Sequence, residues 1–142
     1  MEFEDRAETS AGARLFVYGT LRKGFPSHGL LQRLHARFLG AGHVHGRLYD
    51  LGEYPGAVKS AGNTDRVHGE VYLVPRPDAV FRVLDRFEGY DPAKPEFTEF
   101  ERKQTVVTLA GGREMWAWIY WLPRARASGC RVMSGNYARH RT

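Results

Sequence analysis

Helical periodicity occurs at only two places in this chain, and neither alternates with strands in a regular way. The first is short. Ser27 is placed to cap a helix from His28 to about Ala36, with Leu30, Leu31 and Leu34 on one face. The second runs from Pro77 to Phe87. Pro77 suits a first helical turn, Asp78 suits the positive helix start, and Val80, Val83, Leu84 and Phe87 recur at helical spacing before Gly89. Most of the remaining chain between Leu15 and Leu122 reads as strand cut by glycine. Leu15-Phe16-Val17-Tyr18 is an apolar run that enters a tight loop at Gly19. Arg37 to Tyr49 is a long, glycine-interrupted strand that should bend or bulge. Tyr54-Pro55-Gly56 reads as a turn, and residues 61–65 as a hairpin loop. Val67, Gly69, Val71 and Leu73 alternate with His68, Glu70, Tyr72 and Val74. Strands over 97–109 and 113–122 are joined by Ala110-Gly111-Gly112, a strong hairpin signal. This order excludes a doubly wound α/β sheet. The expected class is α+β: a compact mixed, strongly curved sheet or small barrel with two helices.

The 142 residues suit one domain over 14–142, preceded by a flexible leader over 1–13 and ending in a basic tail. No apolar run is long enough to span a bilayer, and the polar, acidic start is no secretory signal. With Cys130 the only cysteine, no intrachain disulfide can form, which points to a reducing, cytoplasmic setting. The net charge of +5 sits mostly in the tail, where Arg124, Arg126, Arg131, Arg139 and Arg141 face no acid. Without aromatic interleaving or a nucleic-acid motif, that tail reads as a solvated terminus rather than a nucleic-acid arm.

Two local features bear on chemistry. At Tyr18-Gly19-Thr20-Leu21-Arg22, a strand running into a glycine turn can aim several backbone N–H groups into one concavity, a nest for a carboxylate or carbonyl oxygen. A plain structural turn is the other reading. Glu88 lies at the end of the second helix, facing its negative pole and flanked by Phe87 and Tyr90. Both influences raise a carboxyl pKa toward the range of a general base near neutrality. The alternative is an exposed acid paired with Arg86 or Arg22. His43 and His45 share a strand face, but no third metal ligand is evident. No Gly-x-Ser-x-Gly elbow and no phosphate-binding glycine loop occurs. Trp116, Trp118, Tyr120 and Trp121 read as sheet packing rather than a stacking platform.

Taken together, these motifs resemble the gamma-glutamylcyclotransferase-like family, which includes AIG2-like and bacterial butirosin-pathway-type proteins. The similarity runs through Phe16-Val17-Tyr18-Gly19-Thr20-Leu21-Arg22, Tyr54-Pro55-Gly56-Ala57-Val58 and Val67-His68-Gly69-Glu70-Val71-Tyr72. It continues with Leu84-Asp85-Arg86-Phe87-Glu88-Gly89-Tyr90, Phe100-Glu101-Arg102, Ala117-Trp118-Ile119-Tyr120 and Ser134-Gly135-Asn136-Tyr137. The tail departs most, with Asn136-Tyr137 where many members have Asp-Trp. The resemblance implies a cofactor-independent cyclotransferase that releases 5-oxoproline and a free amine from a gamma-glutamyl amine or peptide. It implies Glu88 as the catalytic acid/base and Tyr18, Gly19, Thr20 and Leu21 as main-chain ligands of the glutamyl group, with Arg22 as a further candidate contact. The same fold without activity, a small-molecule-binding or regulatory module, is the alternative.

Overall fold

The computed structural model describes residues 6–62 and 64–141. Among the described residues, eight strands and three α-helices follow in the order β1 (Glu8–Thr9), β2 (Gly12–Val17), α1 (His28–Arg33), β3 (Arg37–Asp50), β4 (Pro55–Lys59), β5 (Arg66–Val74), α2 (Pro77–Glu88), β6 (Glu101–Leu109), β7 (Glu114–Trp121), β8 (Cys130–Val132) and α3 (Tyr137–His140). Strands β2, β5, β3, β6 and β7 pair in that order, all antiparallel. A parallel contact of β2 with β7 at Leu15 and Trp118 closes them into a five-strand barrel. Closure removes the exposed edges that an open sheet of this size would present.

The barrel explains the unbroken apolar run of β2. Leu15 and Val17 pack into a cluster with Val80, Phe81 and Leu84 of α2, while Phe16 and Tyr18 point the other way, toward Val44, Val67, Val107 and Ile119. A helix cannot occupy the interior of so narrow a barrel, so the second cluster is that interior. From Leu15 to Val17 both faces of the strand are buried, and alternation therefore leaves no polar position in that run. In β3 the anticipated irregularity is a register shift between Phe38 and Gly40. Its first part pairs with β5, and its second part with β4 and β8.

Several local expectations change. Helix α1 stops at Arg33 because His35 takes a φ of 62°, before Ala36 is reached. Pro55 opens a strand instead of sitting in a turn, since the first strand residue needs no amide for the ladder. The reversal comes earlier, where the Leu51 amide donates to the Tyr54 carbonyl at 2.9 Å. The loop after β4 is not a hairpin, because β4 and β5 each pair with β3 and not with one another; its Asn63 lies outside the described residues. Residues 95–97 form a 3-10 turn, and β6 begins only at Glu101. The Gly-Gly hairpin forms, with Leu109 and Arg113 bonded across it at 2.8 Å.

The described parts of both terminal segments take up regular structure. Residues 1–5 of the expected leader lie outside the described residues. Its remainder joins the sheet: Glu8 and Thr9 pair with Ala13 and Gly12, and Ala7 is fully buried. The tail is no solvated terminus either. Strand β8 pairs with β3, and the Gly135 carbonyl accepts from the His68 amide at 2.8 Å. Arg131 binds Asp65 at 2.8 Å, while His140 and Arg141 reach Asp50 at 3.0 and 3.7 Å. The arginine excess is thus partly matched by acids distant in sequence. Tyr137 anchors the arrangement, buried in the barrel cluster and stacked on Phe25 with ring centroids 5.3 Å apart. Tyr137→Ala should lower the unfolding free energy by about 3 kcal/mol, the usual range for deleting a buried ring. Urea unfolding followed by tryptophan fluorescence measures it, and a loss under about 1 kcal/mol would show that the tail merely rests on the barrel.

His43 and His45 share a face, with their rings 6.1 Å apart and His68 6.0 Å from His43. Among the described residues no group of three or more potential metal ligands gathers, and no helix is long and apolar enough to cross a membrane.

Candidate active site

The turn that follows β2 forms one wall of a cleft of about 350 Å³. Tyr18 does not offer its hydroxyl to this space. The phenol donates to the Tyr120 carbonyl at 2.7 Å and accepts from the Ala57 amide at 3.1 Å, tying β2 to β7 and β4. Burial pushes its pKa upward, so it stays a neutral hydrogen-bonded strut. The turn itself is closed by the Arg22 amide donating to the Gly19 carbonyl at 3.0 Å. The amides of Gly19, Thr20 and Leu21 have no acceptor among the described residues. Backbone donors normally find a partner, so three free ones beside a cleft are available to a ligand.

Gly19 is required here by space. A Cβ at this position would stand 2.7 Å from Cγ of Pro55, across the cleft wall. Gly19→Ala should therefore displace the turn or Pro55 and lower kcat/KM about 100-fold, with the unfolding midpoint falling by only a few degrees. Steady-state rates beside a thermal melt separate the two effects. Unchanged kinetics would remove the turn from substrate binding.

Glu88 comes to the cleft from the opposite direction, as the last residue of α2. Val80, Phe81 and Leu84 bury one face of that helix against the sheet and fix its rotation. Gly89, at a φ of 70°, ends it, with Gly89 and Tyr90 amides bonded to Arg86 and Asp85 carbonyls. The Glu88 carboxyl makes no hydrogen bond or ion pair among the described residues. The alternative pairing with Arg22 or Arg86 does not form among the described residues. Burial, and then the nearby charges of Glu99 and Asp85, push the Glu88 carboxyl up to about 8. Phe87, expected to help desolvate it, lines the cleft but remains 47% exposed.

Arg22 does not line the cleft. Its guanidinium instead meets Glu70 at 3.4 Å and Asn136 at 3.0 Å, on β5 and the tail. The turn bond at Gly19 sends the chain away at this residue, and the acid on β5 captures the side chain. Arg22 thus joins the tail to the barrel and is separated from Gly19, Thr20 and Leu21, which the cleft does bring together with Glu88.

Four site features escaped sequence reasoning. Asp85, one turn before Glu88, accepts from Arg102 at 2.7 and 3.1 Å and from the Tyr120 hydroxyl at 2.6 Å. Arg102 packs over the rings of both Phe81 and Trp118, 4.4 and 4.5 Å from their centroids. Tyr120 is the residue whose carbonyl holds Tyr18, so a single network links the helix carrying Glu88 to the amide turn. Glu53, Tyr54 and Glu99 also line the cleft, and the Tyr54 hydroxyl donates to Glu99. Asp85 stood inside a quoted motif and could have been suspected. For Glu99 no local signal exists: its place depends on its amide bonding the Gly89 carbonyl at 2.8 Å, across a loop whose path the sequence does not specify.

The cleft thus sets free amides on one side against a desolvated, unpaired carboxyl on the other, an arrangement suited to acid–base chemistry on a small carbonyl compound. The chain belongs to the family described as gamma-glutamyl cyclotransferase, AIG2-like, whose model matches residues 15–139. A gamma-glutamylcyclotransferase family protein of Citrobacter rodentium is 35% identical over 128 residues, covering 87% of this chain and 94% of that protein. The gamma-glutamylaminecyclotransferase of Bos taurus is 40% identical over 108 residues, 71% of this chain and 60% of the bovine one. The crystal structure of an AIG2-like protein of Mus musculus superposes with a TM-score of 0.64 at 27% identity, covering 80% of this chain and 78% of that one.

Proposed function

We propose that this enzyme releases 5-oxoproline and a free amine from a gamma-glutamyl amine or gamma-glutamyl peptide, with Glu88 as general acid/base. The observation that carries this reading is the unpaired Glu88 carboxyl, held at about 8 in the cleft that also contains the free amides of Gly19, Thr20 and Leu21. Ionised Glu88 takes a proton from the substrate's α-ammonium. The amine so formed attacks the γ-carbonyl carbon of the same molecule, closing a five-membered ring. As the tetrahedral intermediate collapses, protonated Glu88 gives its proton to the departing nitrogen and the C–N bond breaks. Over the cycle the ring nitrogen loses two protons and the leaving amine gains two, so Glu88 returns to its starting state.

The amide turn serves the other half of the reaction. Its N–H groups suit the substrate carboxylate or the oxyanion that develops on the γ-carbonyl. Because the nucleophile belongs to the substrate, the scheme calls on no cofactor. The chemical gain is orientation: holding the glutamyl chain folded converts a floppy molecule into one near its ring-closing geometry. The working compartment in this reading is the cytoplasm, in keeping with the lone, unpaired Cys130.

The pH dependence has a definite sign. In the free enzyme the base form of Glu88 fills only as pH rises through about 8, so kcat/KM should climb toward that pH and fall again where the free substrate's α-ammonium, which supplies the proton for the leaving nitrogen, is itself lost. A bound α-ammonium favours the ionised carboxylate, so the corresponding limb of kcat should lie at lower pH. Release of 5-oxoproline from gamma-glutamyl amines, dipeptides and glutathione, measured from pH 5 to 10, tests the proposal. Release that follows this profile in the wild type and collapses in Glu88→Gln is the expected result. Equal release by both proteins would dismiss Glu88, and no release by either would favour a binding module.

A further inference from the structure

We propose that Glu53 and Glu99, arranged around Tyr54, select the charge of the leaving group, so that the cleft prefers gamma-glutamyl conjugates of amines bearing a second positive charge, such as diamines. The proposal rests on the cyclotransferase reading and names the substrate class of that same cleft.

It follows from counting charges along the cleft wall. Three carboxylates line it, Glu53, Glu88 and Glu99, and among the described residues none of its lining side chains is basic. The glutamyl half of a substrate uses only part of this set. Its carboxylate suits the free amides of the Gly19–Leu21 turn, and its ammonium suits Glu88. Glu53 and Glu99 then face the half that leaves, with no protein cation beside them.

Glu99 is well placed for such a role. Its backbone amide is tied to the Gly89 carbonyl, and one carboxylate oxygen, Oε2, accepts from the Tyr54 hydroxyl. The other, Oε1, has no hydrogen-bond partner among the described residues. Glu53 is exposed, one residue from Tyr54. The hydrogen bond to Glu99, then desolvation, then the charges of Glu99, Glu53 and Glu88 push the Tyr54 phenol up to about 12. Between them Phe87, Phe100 and Pro26 supply apolar wall for a methylene chain. An ammonium at the end of such a chain meets uncompensated carboxylate. A carboxylate there, as in a gamma-glutamyl amino acid or glutathione, meets like charge with no cation to screen it, and rejection by repulsion is an effective source of specificity.

The test compares kcat/KM for 5-oxoproline release from three matched conjugates, those of 1,4-diaminobutane, butylamine and 4-aminobutanoate, in the wild type, in Glu99→Gln and in Glu53→Gln/Glu99→Gln. The cationic conjugate should exceed the neutral one by about tenfold or more, and the neutral should exceed the anionic. Added salt should narrow the spread. The double variant should bring all three within about threefold, with the single variant between. Because each ratio is taken within one protein, altered folding or an altered Glu88 cancels. Equal rates on the cationic and neutral conjugates, a preference for the anionic one, or ratios unchanged in the double variant would overturn the charge-selection proposal alone. Silence on every conjugate, the neutral one included, would remove the cyclotransferase reading and this proposal with it.

Discussion

Glu88→Gln is expected to lower the rate of 5-oxoproline release by about 100- to 10,000-fold, the usual range for losing a general acid–base group, and at the same time to make the protein more stable at alkaline pH. The second effect follows from proton linkage. An unfolded Glu88 titrates near the ordinary glutamate value of 4.5, whereas burial raises the folded one to about 8. Between these values the native state binds more protons than the unfolded state, so wild-type stability declines as pH rises and levels off above about 8. Glutamine carries no such dependence. The stability gap between variant and wild type should be small below pH 4.5, open through the interval, and reach a few kcal/mol at most above it. Urea unfolding at pH 4.5, 7 and 9 measures it. A gap that fails to widen with pH would show that the carboxyl is not desolvated in the folded protein, and the catalytic assignment would lose its physical basis. Greater stability with less activity is the signature of a group kept buried for chemistry.

For Asp85→Ala the expected loss is about 2–4 kcal/mol of unfolding free energy together with most of the activity. Both partners of the Asp85–Arg102 pair are about one-fifth exposed, with side-chain accessibilities of 21% and 19%, which places the loss below that of a fully buried pair. Removing the carboxylate leaves the Arg102 cation against Phe81 and Trp118 with no counter-charge and the Tyr120 hydroxyl with no acceptor. A destabilised Tyr120 also loosens the carbonyl that holds Tyr18, so the amide turn should lose definition. Asp85→Asn keeps an acceptor for Tyr120 and should recover part of the stability. A double cycle with Arg102→Met separates the ion pair from the rest, because the second change removes the stranded charge. A loss of less than about 1 kcal/mol for Asp85→Ala would mean that the network does not brace the site.

The motif pieces of the site were readable because they are local. A strand ending at Gly19 and a helix ending at Gly89 are decided by dihedral freedom and capping, and both are written in a few adjacent residues. Position 88 at a helix end also implies an unfavourable field for a carboxylate. What could not be read was which side chain meets which. Arg22 adjoins the amide turn in sequence, yet Glu70 and Asn136, 48 and 114 residues away, take its guanidinium. Glu99 reaches the cleft only because residues 90–98 fold back on the end of α2. The tail arginines looked solvated because Asp50 and Asp65, two of their partners, lie 66 to 91 residues earlier.

From the sequence alone came the α+β class, the two longer helices, the glycine hairpin, the irregular long strand and the resemblance that singled out Glu88 and residues 18–21. These rest on periodicity and on backbone preferences that act over one or two turns of chain. Tertiary structure alone decided that the sheet closes through β2 and β7, that Glu8–Thr9 and Cys130–Val132 pair into it, and that Glu88 stands unpaired among other acids. Closure and desolvation depend on surfaces brought together from distant parts of the chain. No short window of sequence carries the burial that raises a carboxyl's pKa or the charge balance of a cleft.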